Sequence, residues 1–143
     1  MNDELRKRIK ETPPLLQSYP LIKTVYLFGS YAREKERGDS DIDFALLVEG
    51  DRFKERGFLA YELERRLGFI APVEIIILNH QNLLFKFQVI KEGKIIYEAD
   101  RDLRVRFETG VMKEYHRLEP HLEFFERYRI QGVLKRLGIY ETA

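Results

Sequence analysis

The sequence predicts an α/β fold in which a small mixed β-sheet packs on helices and a helical tail follows at the C-terminus. Short apolar runs rich in β-branched and aromatic residues alternate with segments whose apolar residues recur every three or four positions. This alternation is typical of strands and helices that follow one another along the chain. The chain has 143 residues, of which 44% are hydrophobic, and this is enough to build one core of useful size.

The first elements alternate between helix and strand. Residues 3–10 are predicted to form a short helix that ends before a Pro-Pro pair, and a further turn of helix is expected after it. A strand near residues 23–28 then stops at a Gly-Ser turn. The second strand spans about residues 41–48 and carries two carboxylates at its start.

The next four elements complete the predicted core. Asp51 is expected to cap a helix that ends at Gly68, and a β-branched strand over residues 72–78 follows. A helix over residues 82–90 and a short strand over residues 94–97 come last. The predicted buried faces of the two helices are Leu59, Ala60, Leu63 and Leu67 in the first, and Leu83, Leu84, Phe87 and Ile90 in the second.

A long amphipathic helix is predicted from Asp102. Its apolar stripe, at spacings of three and four, comprises Phe107, Val111, Tyr115, Leu118, Leu122 and Phe125. Pro120 lies inside this stripe and is expected to kink or break the helix. The half before it is expected to pack on the sheet. The half after it is rich in aromatic and apolar residues, which is typical of a partner-binding element: Phe124, Phe125, Tyr128, Leu134 and Tyr140.

We therefore divide the chain into a core of residues 1–100 and a C-terminal helical extension of residues 101–143. The extension either belongs to the same domain or binds a partner.

Composition excludes several classes of function. The formal net charge is +1, so no bulk electrostatic attraction to nucleic acid or to a membrane is expected. The chain has no cysteine, which excludes disulfides and thiolate metal sites. No apolar stretch approaches the length of a membrane span, and the charged N-terminal segment lacks the apolar centre of a signal peptide. We therefore expect a cytoplasmic protein.

The candidate site is a Gly-Ser turn followed by two nearby carboxylates. Gly29-Ser30 ends the first predicted strand, and Asp41 and Asp43 begin the second. In a strand, side chains two residues apart share one face, with Cα atoms roughly 6.5–7 Å apart. Asp41 and Asp43 are therefore expected to hold one or two divalent cations, and Mg²⁺ needs only a few carboxylates besides phosphate oxygens. This is the geometry of metal-assisted nucleotidyl transfer, although Gly-Asp-Ser-Asp is also ordinary turn composition.

The turn itself suits a phosphate group. Gly29 has no side chain, so the backbone can approach phosphate oxygens closely, and the following amides with the Ser30 hydroxyl can donate hydrogen bonds to them. Arg33, about one helical turn further on, adds a charge-assisted contact to the same phosphates.

The pattern Gly29-Ser30-x10-Asp41-x-Asp43 resembles the signature of the DNA-polymerase-β-like nucleotidyltransferases. The short chain is similar to their smallest members, the minimal nucleotidyltransferases (MNT), many of which are antitoxins of a HEPN-domain protein. The resemblance implies the polymerase-β-like fold, Mg²⁺ as cofactor, and ATP as the donor of AMP to a tyrosine of a HEPN toxin. The chain departs from the family pattern at Glu34, where glycine is frequent, and this predicts a stiffer and more acidic loop.

The resemblance also implies a third acid from a later strand. Glu74 matches that position by its order in the chain, and it would complete the metal site and orient or deprotonate the acceptor hydroxyl. The alternative is that Glu74 only marks the solvent-facing end of a strand.

Two other functions remain open at this point. One is a non-catalytic antitoxin that neutralises a HEPN partner by binding it. The other is a small-molecule nucleotidyltransferase, although the chain has no second domain to form an acceptor pocket. Either a homo-oligomer or a hetero-oligomer with the partner is compatible with the sequence.

Overall fold

The computed structural model describes the backbone of residues 1–128 and the side chains of residues 1–122. Its four strands form one sheet in the order β3-β2-β1-β4, which is the small mixed sheet that the sequence predicts. The elements are α1 (Asp3–Lys10), α2 (Pro13–Gln17), β1 (Ile22–Phe28), α3 (Gly29–Ala32), β2 (Ile42–Val48), α4 (Arg56–Arg66), β3 (Val73–Ile77), α5 (Leu83–Glu92), β4 (Lys94–Glu98) and α6 (Arg101–Tyr128).

The sheet register aligns the residues that matter for the site. β1 lies antiparallel to both β2 and β4, whereas β2 and β3 are parallel. Phe28 pairs with Asp43, and Asp43 pairs with Glu74, so these three residues form one row across the sheet. The row lies at the end of β1 and at the start of both β2 and β3.

Helices cover both faces of the sheet. One face packs against α1, α2 and α4 around fully buried leucines such as Leu16, Leu59 and Leu63. The other face packs against α5 and α6 around Tyr26 and Ala45. Because side chains alternate along a strand, Asp43 shares the second face with Ala45.

Two details of the predicted helices are wrong. Asp51 caps no helix, since α4 begins five residues later at Arg56, after a bend that includes Gly50 at φ +71°. The buried face of α5 is formed by Phe85 and Val89 and not by the predicted apolar set. The reason is that α5 lies between the sheet and α6, so its apolar residues point in two directions.

The predicted stripe on α6 is confirmed for its described part. Val111 is buried, and Phe107, Tyr115, Leu118 and Leu122 are partly buried, while Phe87 of α5 stacks on Tyr115 with ring centroids 3.5 Å apart. The predicted break at Pro120 is wrong, because the helix continues through this exposed proline to Tyr128. The predicted partner-binding residues from Phe124 onward lie outside the described side chains.

The helices of residues 1–128 include none that combines the length and the apolar character needed to cross a lipid bilayer.

Candidate active site

Three carboxylates converge at one edge of the sheet. Asp43 is the second residue of β2, Asp41 immediately precedes that strand, and Glu74 is the second residue of the neighbouring β3. One carboxylate oxygen from each lies within 4.8 Å of the others. Asp41 and Glu74 are exposed, and Asp43 is partly buried. The parallel pairing of β2 with β3 is what brings Glu74 beside Asp43, although 31 positions separate them in the chain.

The electrostatics of this acid triad (Asp41, Asp43 and Glu74) are unfavourable without a cation. The pKa of Asp43 is raised from 3.8 to about 7, mainly by burial and then by the charges of Glu74 and Asp41 and a hydrogen bond with Glu74. Only Arg33 acts the other way. Three carboxylates whose oxygen atoms lie this close together are suited to a hard divalent cation, which would relieve their repulsion.

The Gly-Ser turn lies directly against Asp43 of the triad. β1 ends at Phe28, and Gly29 starts the short helix α3 at φ +76°, a left-handed conformation that favours glycine. A Cβ atom on Gly29 would collide with the carboxylate of Asp43. Both the backbone conformation and the close approach therefore require a residue without a side chain.

A cavity of about 390 Å³ opens in front of the turn and the triad. Five of the six residues predicted from the sequence line it: Gly29, Ser30, Arg33, Asp43 and Glu74. Asp41 does not line it, but its carboxylate completes the triad at the exposed rim. The structure thus places all six predicted residues around one region, where the Gly-Ser turn lies directly beside the acids.

The opposite wall of the cavity was not predicted. It is formed by residues of α5: Phe85, Gln88, Val89 and Glu92. Phe28 and Phe85 meet edge to face with ring centroids 5.6 Å apart, which holds α5 against the end of β1. Which face of α5 meets the sheet depends on packing with α6, so no local sequence pattern marks these residues.

The sequence is similar to a nucleotidyltransferase family profile and to protein adenylyltransferases. The family profile "Polymerase beta, Nucleotidyltransferase" matches residues 10–102. The chain is 28% identical over 134 residues to the protein adenylyltransferase MntA of Aphanizomenon flos-aquae, covering 87% of this chain and 89% of that protein. It is also 34% identical over 73 residues to a putative protein adenylyltransferase of Methanocaldococcus jannaschii, covering 50% of this chain and 76% of that protein.

Solved structures show the same likeness. A chain in the crystal structure of a toxin–antitoxin complex with AMP-PNP matches with a TM-score of 0.64 and 26% identity, covering 89% of this chain and 98% of that chain. The fold is also shared, with a TM-score of 0.62 and 24% identity, with a chain of the complex between a tri-AMPylated Shewanella oneidensis HEPN toxin and an MNT antitoxin. That match covers 91% of this chain and 98% of the other.

Proposed function

Because this chain belongs to the polymerase beta nucleotidyltransferase family, we propose that it transfers AMP from ATP to a hydroxyl group of a HEPN toxin and so acts as its antitoxin. The observation that carries the proposal is the acid triad, which lies directly beside the Gly-Ser turn at one cavity. Nucleotidyl transfer needs this combination, because a phosphate group must be held next to a divalent cation.

The relatives support both the donor and the acceptor. The matched protein of Aphanizomenon flos-aquae is a protein adenylyltransferase, and a matched toxin–antitoxin structure contains AMP-PNP, an analogue of ATP. A HEPN toxin that carries AMP groups is bound to the MNT antitoxin whose complex shares this fold. The acceptor that we propose here is a tyrosine hydroxyl of such a toxin.

We assign the acid triad to a divalent cation, Mg²⁺, because all three residues offer oxygen ligands at mutually compatible distances. When bound, Mg²⁺ would offset the charge of the triphosphate and lower the pKa of the attacking hydroxyl. Asp43 would hold it from the partly buried side, and Asp41 and Glu74 from the exposed side.

The remaining residues hold the substrate. The Ser30 hydroxyl and the Arg33 guanidinium would bind phosphate oxygens, and the bare backbone of Gly29 lets the α-phosphate approach the triad. The acceptor oxygen forms a bond to the α-phosphorus while the bond from that phosphorus to the bridging oxygen breaks, and pyrophosphate leaves with the bonding electrons. Glu74 is exposed and would accept the proton that the hydroxyl loses.

The proposal also assigns a role to each part of the chain and a cellular location. Residues 1–100 form the catalytic core, and residues 101–143 form an extension whose later part binds the toxin. The site of action is the cytoplasm, where ATP is abundant.

Intact-mass spectrometry of a HEPN-domain protein from the same genome tests the function. After incubation with this chain, ATP and Mg²⁺, we expect its mass to increase by one or more AMP units. Asp41→Asn and Asp43→Asn should abolish the increase, whereas Asp39→Asn, an exposed acid on the same loop, should not. A stable complex without any mass increase would contradict the proposal and would favour an antitoxin that acts by binding alone. AMP transfer to small hydroxylated compounds only would favour a small-molecule enzyme.

A further inference from the structure

Exposed apolar side chains are concentrated on α4 and on the turn that follows it. Among the side chains that the structure describes, six large apolar residues are exposed, and four of them lie between positions 58 and 70: Phe58, Tyr61, Phe69 and Ile70. We call these four residues the aromatic patch. Phe58 and Tyr61 are three positions apart on α4 and share a face that is distinct from its buried side. The rings of Tyr61 and Phe69 have centroids 6.3 Å apart, so the helix and the turn form one contiguous apolar surface.

Phe69 adopts a backbone conformation that its own packing does not explain. Its φ is +54°, in the left-handed region that bulky residues rarely adopt. The end of α4 requires only the preceding Gly68, which lies at φ +77° and whose amide donates to the Arg65 carbonyl at 3.1 Å. The Phe69 side chain is 60% exposed, so burial within this chain offsets little of the strain. Strain of this kind, at an exposed aromatic residue, is typical of a binding surface.

The aromatic patch borders the exposed side of the acid triad. Residues 69–72 lead directly into β3, whose second residue is Glu74. The Cα atoms of Ile70 and Glu74 are at most about 14 Å apart, because only four positions separate them. The Ile42 amide donates to the Pro72 carbonyl at 2.8 Å, which places the turn beside the start of β2, next to Asp41. Asp41 and Glu74 are the two exposed members of the triad, so the patch and the open side of the site lie next to each other.

The occupant that fits this surface is the protein that receives the AMP group. A stable protein interface buries about 800 Å² on each partner, from about 20–30 residues, so a protein seated on the four patch residues would also cover the rim of the triad. A second copy of this chain in that place would close the triad to an acceptor. Arg65, on the same helix, pairs with Glu62 at 2.8 Å, so the charges beside the patch compensate one another and favour an apolar partner surface over a polyanion.

We propose that the aromatic patch is the docking surface for an apolar region of the acceptor protein, next to the hydroxyl that receives AMP. This rests on the proposed function. An acceptor held on the patch would bring its hydroxyl to the exposed side of the triad, while the Gly-Ser turn and the wall formed by α5 stay free for the nucleotide. The strained turn at Phe69 would present the aromatic ring to the acceptor at little further entropic cost on binding.

Calorimetric binding of a HEPN-domain protein from the same genome, in EDTA so that no AMP is transferred, tests the patch. The double variant Tyr61→Gln/Phe69→Asn removes both rings, and it should raise the dissociation constant at least about thirtyfold, as expected for aromatic residues at the centre of an interface. Glutamine is a good helix former and asparagine tolerates a left-handed φ, so the urea midpoint of unfolding should be unchanged or higher. Binding of AMP-PNP with Mg²⁺ should be unchanged, which shows that the nucleotide site is intact.

A matched control removes a similar exposed apolar surface elsewhere. Ile95 of β4, at the opposite edge of the sheet, and Val105 of α6 are each exposed. The double variant Ile95→Thr/Val105→Gln should change the dissociation constant less than about twofold. Light scattering of the free chain tests the other occupant, and the wild type and the patch variant should show the same mass.

The outcomes separate this proposal from the function above. Unchanged binding in the patch variant, an equal loss in the control, or a dimer of the free chain that only the patch variant dissociates would overturn the docking surface. AMP transfer at an unchanged KM for the acceptor in the patch variant would overturn it too, and would leave the proposed function in place. Selective loss of binding by the patch variant, with no AMP transfer by the wild type, would support the docking surface and contradict the proposed function.

Discussion

Removing the charge of Asp43 should stabilise the metal-free protein while abolishing its activity. The carboxyl group is partly buried and faces two other carboxylates, which raises its pKa from 3.8 to about 7. A shift of about three units corresponds to about 4 kcal/mol at most, since one unit is about 1.4 kcal/mol. Solvent reaches the exposed part of the side chain, so we expect Asp43→Asn to raise the free energy of unfolding by about 1–2 kcal/mol at pH 8. The asparagine amide can still donate a hydrogen bond to Glu74.

The stabilisation should depend on pH in a defined direction. Between the unfolded pKa of 3.8 and the folded pKa of about 7, the native state binds more protons at Asp43 than the unfolded state does. The contribution of Asp43 to the free energy of unfolding of the wild type should therefore fall as pH rises through this window. The difference in the free energy of unfolding between Asp43→Asn and the wild type should be near zero at pH 4 and should reach its full value above pH 7.

Urea unfolding in EDTA at several pH values measures this difference, with Asp51→Asn as the control that removes one exposed carboxylate. Added Mg²⁺ should stabilise the wild type and not Asp43→Asn, because the proposed metal site needs all three carboxylates of the triad. A variant that is less stable than the wild type at pH 8 in EDTA, or a difference that does not change with pH, would refute the electrostatic argument.

Three further substitutions test the site and its support. Gly29→Ala should reduce AMP transfer by at least about a hundredfold, because the new Cβ collides with the triad. The control Gly57→Ala, at an exposed position of α4, should leave transfer intact, and equal activity of the two variants would contradict the close approach. Tyr26→Phe should lower the free energy of unfolding by about 1–2 kcal/mol in urea, because its hydroxyl donates to Glu108 at 2.6 Å, and an unchanged midpoint would refute this. Thr24→Val should be neutral or stabilising by up to about 1 kcal/mol in the same assay, because the buried Thr24 hydroxyl finds no partner within the described chain; a clear destabilisation would contradict that.

The candidate site could be predicted from the sequence because most of its residues lie close together in the chain. Gly29-Ser30 and Asp41-x-Asp43 fall within 15 residues, and their order relative to two strands follows from the apolar pattern alone. The family and the fold class that this pattern indicated are confirmed. The roles of the individual residues, and the division between core and extension, stay predictions.

Predictions that depended on packing were less successful. Asp51 has the chemistry of a helix cap, but a left-handed glycine at position 50 turns the chain away before the helix begins. The prediction of the buried face of α5 was wrong, because α5 is packed between the sheet and α6. The periodicity of apolar residues does not distinguish such a helix from one that is packed on a single side. Pro120 was expected to kink or break α6, and the helix continues through this proline without a break.

The sequence alone indicates the candidate chemistry through a turn that can meet a phosphate and two acids that follow it at a fixed spacing, and the family resemblance adds a third acid in a later strand. Tertiary structure decided how these parts meet. Parallel pairing of β2 with β3 places Glu74 beside Asp43, and α5 forms the opposite wall of the cavity. These contacts join residues that lie far apart in the chain, and their geometry follows from how the elements pack rather than from any local pattern.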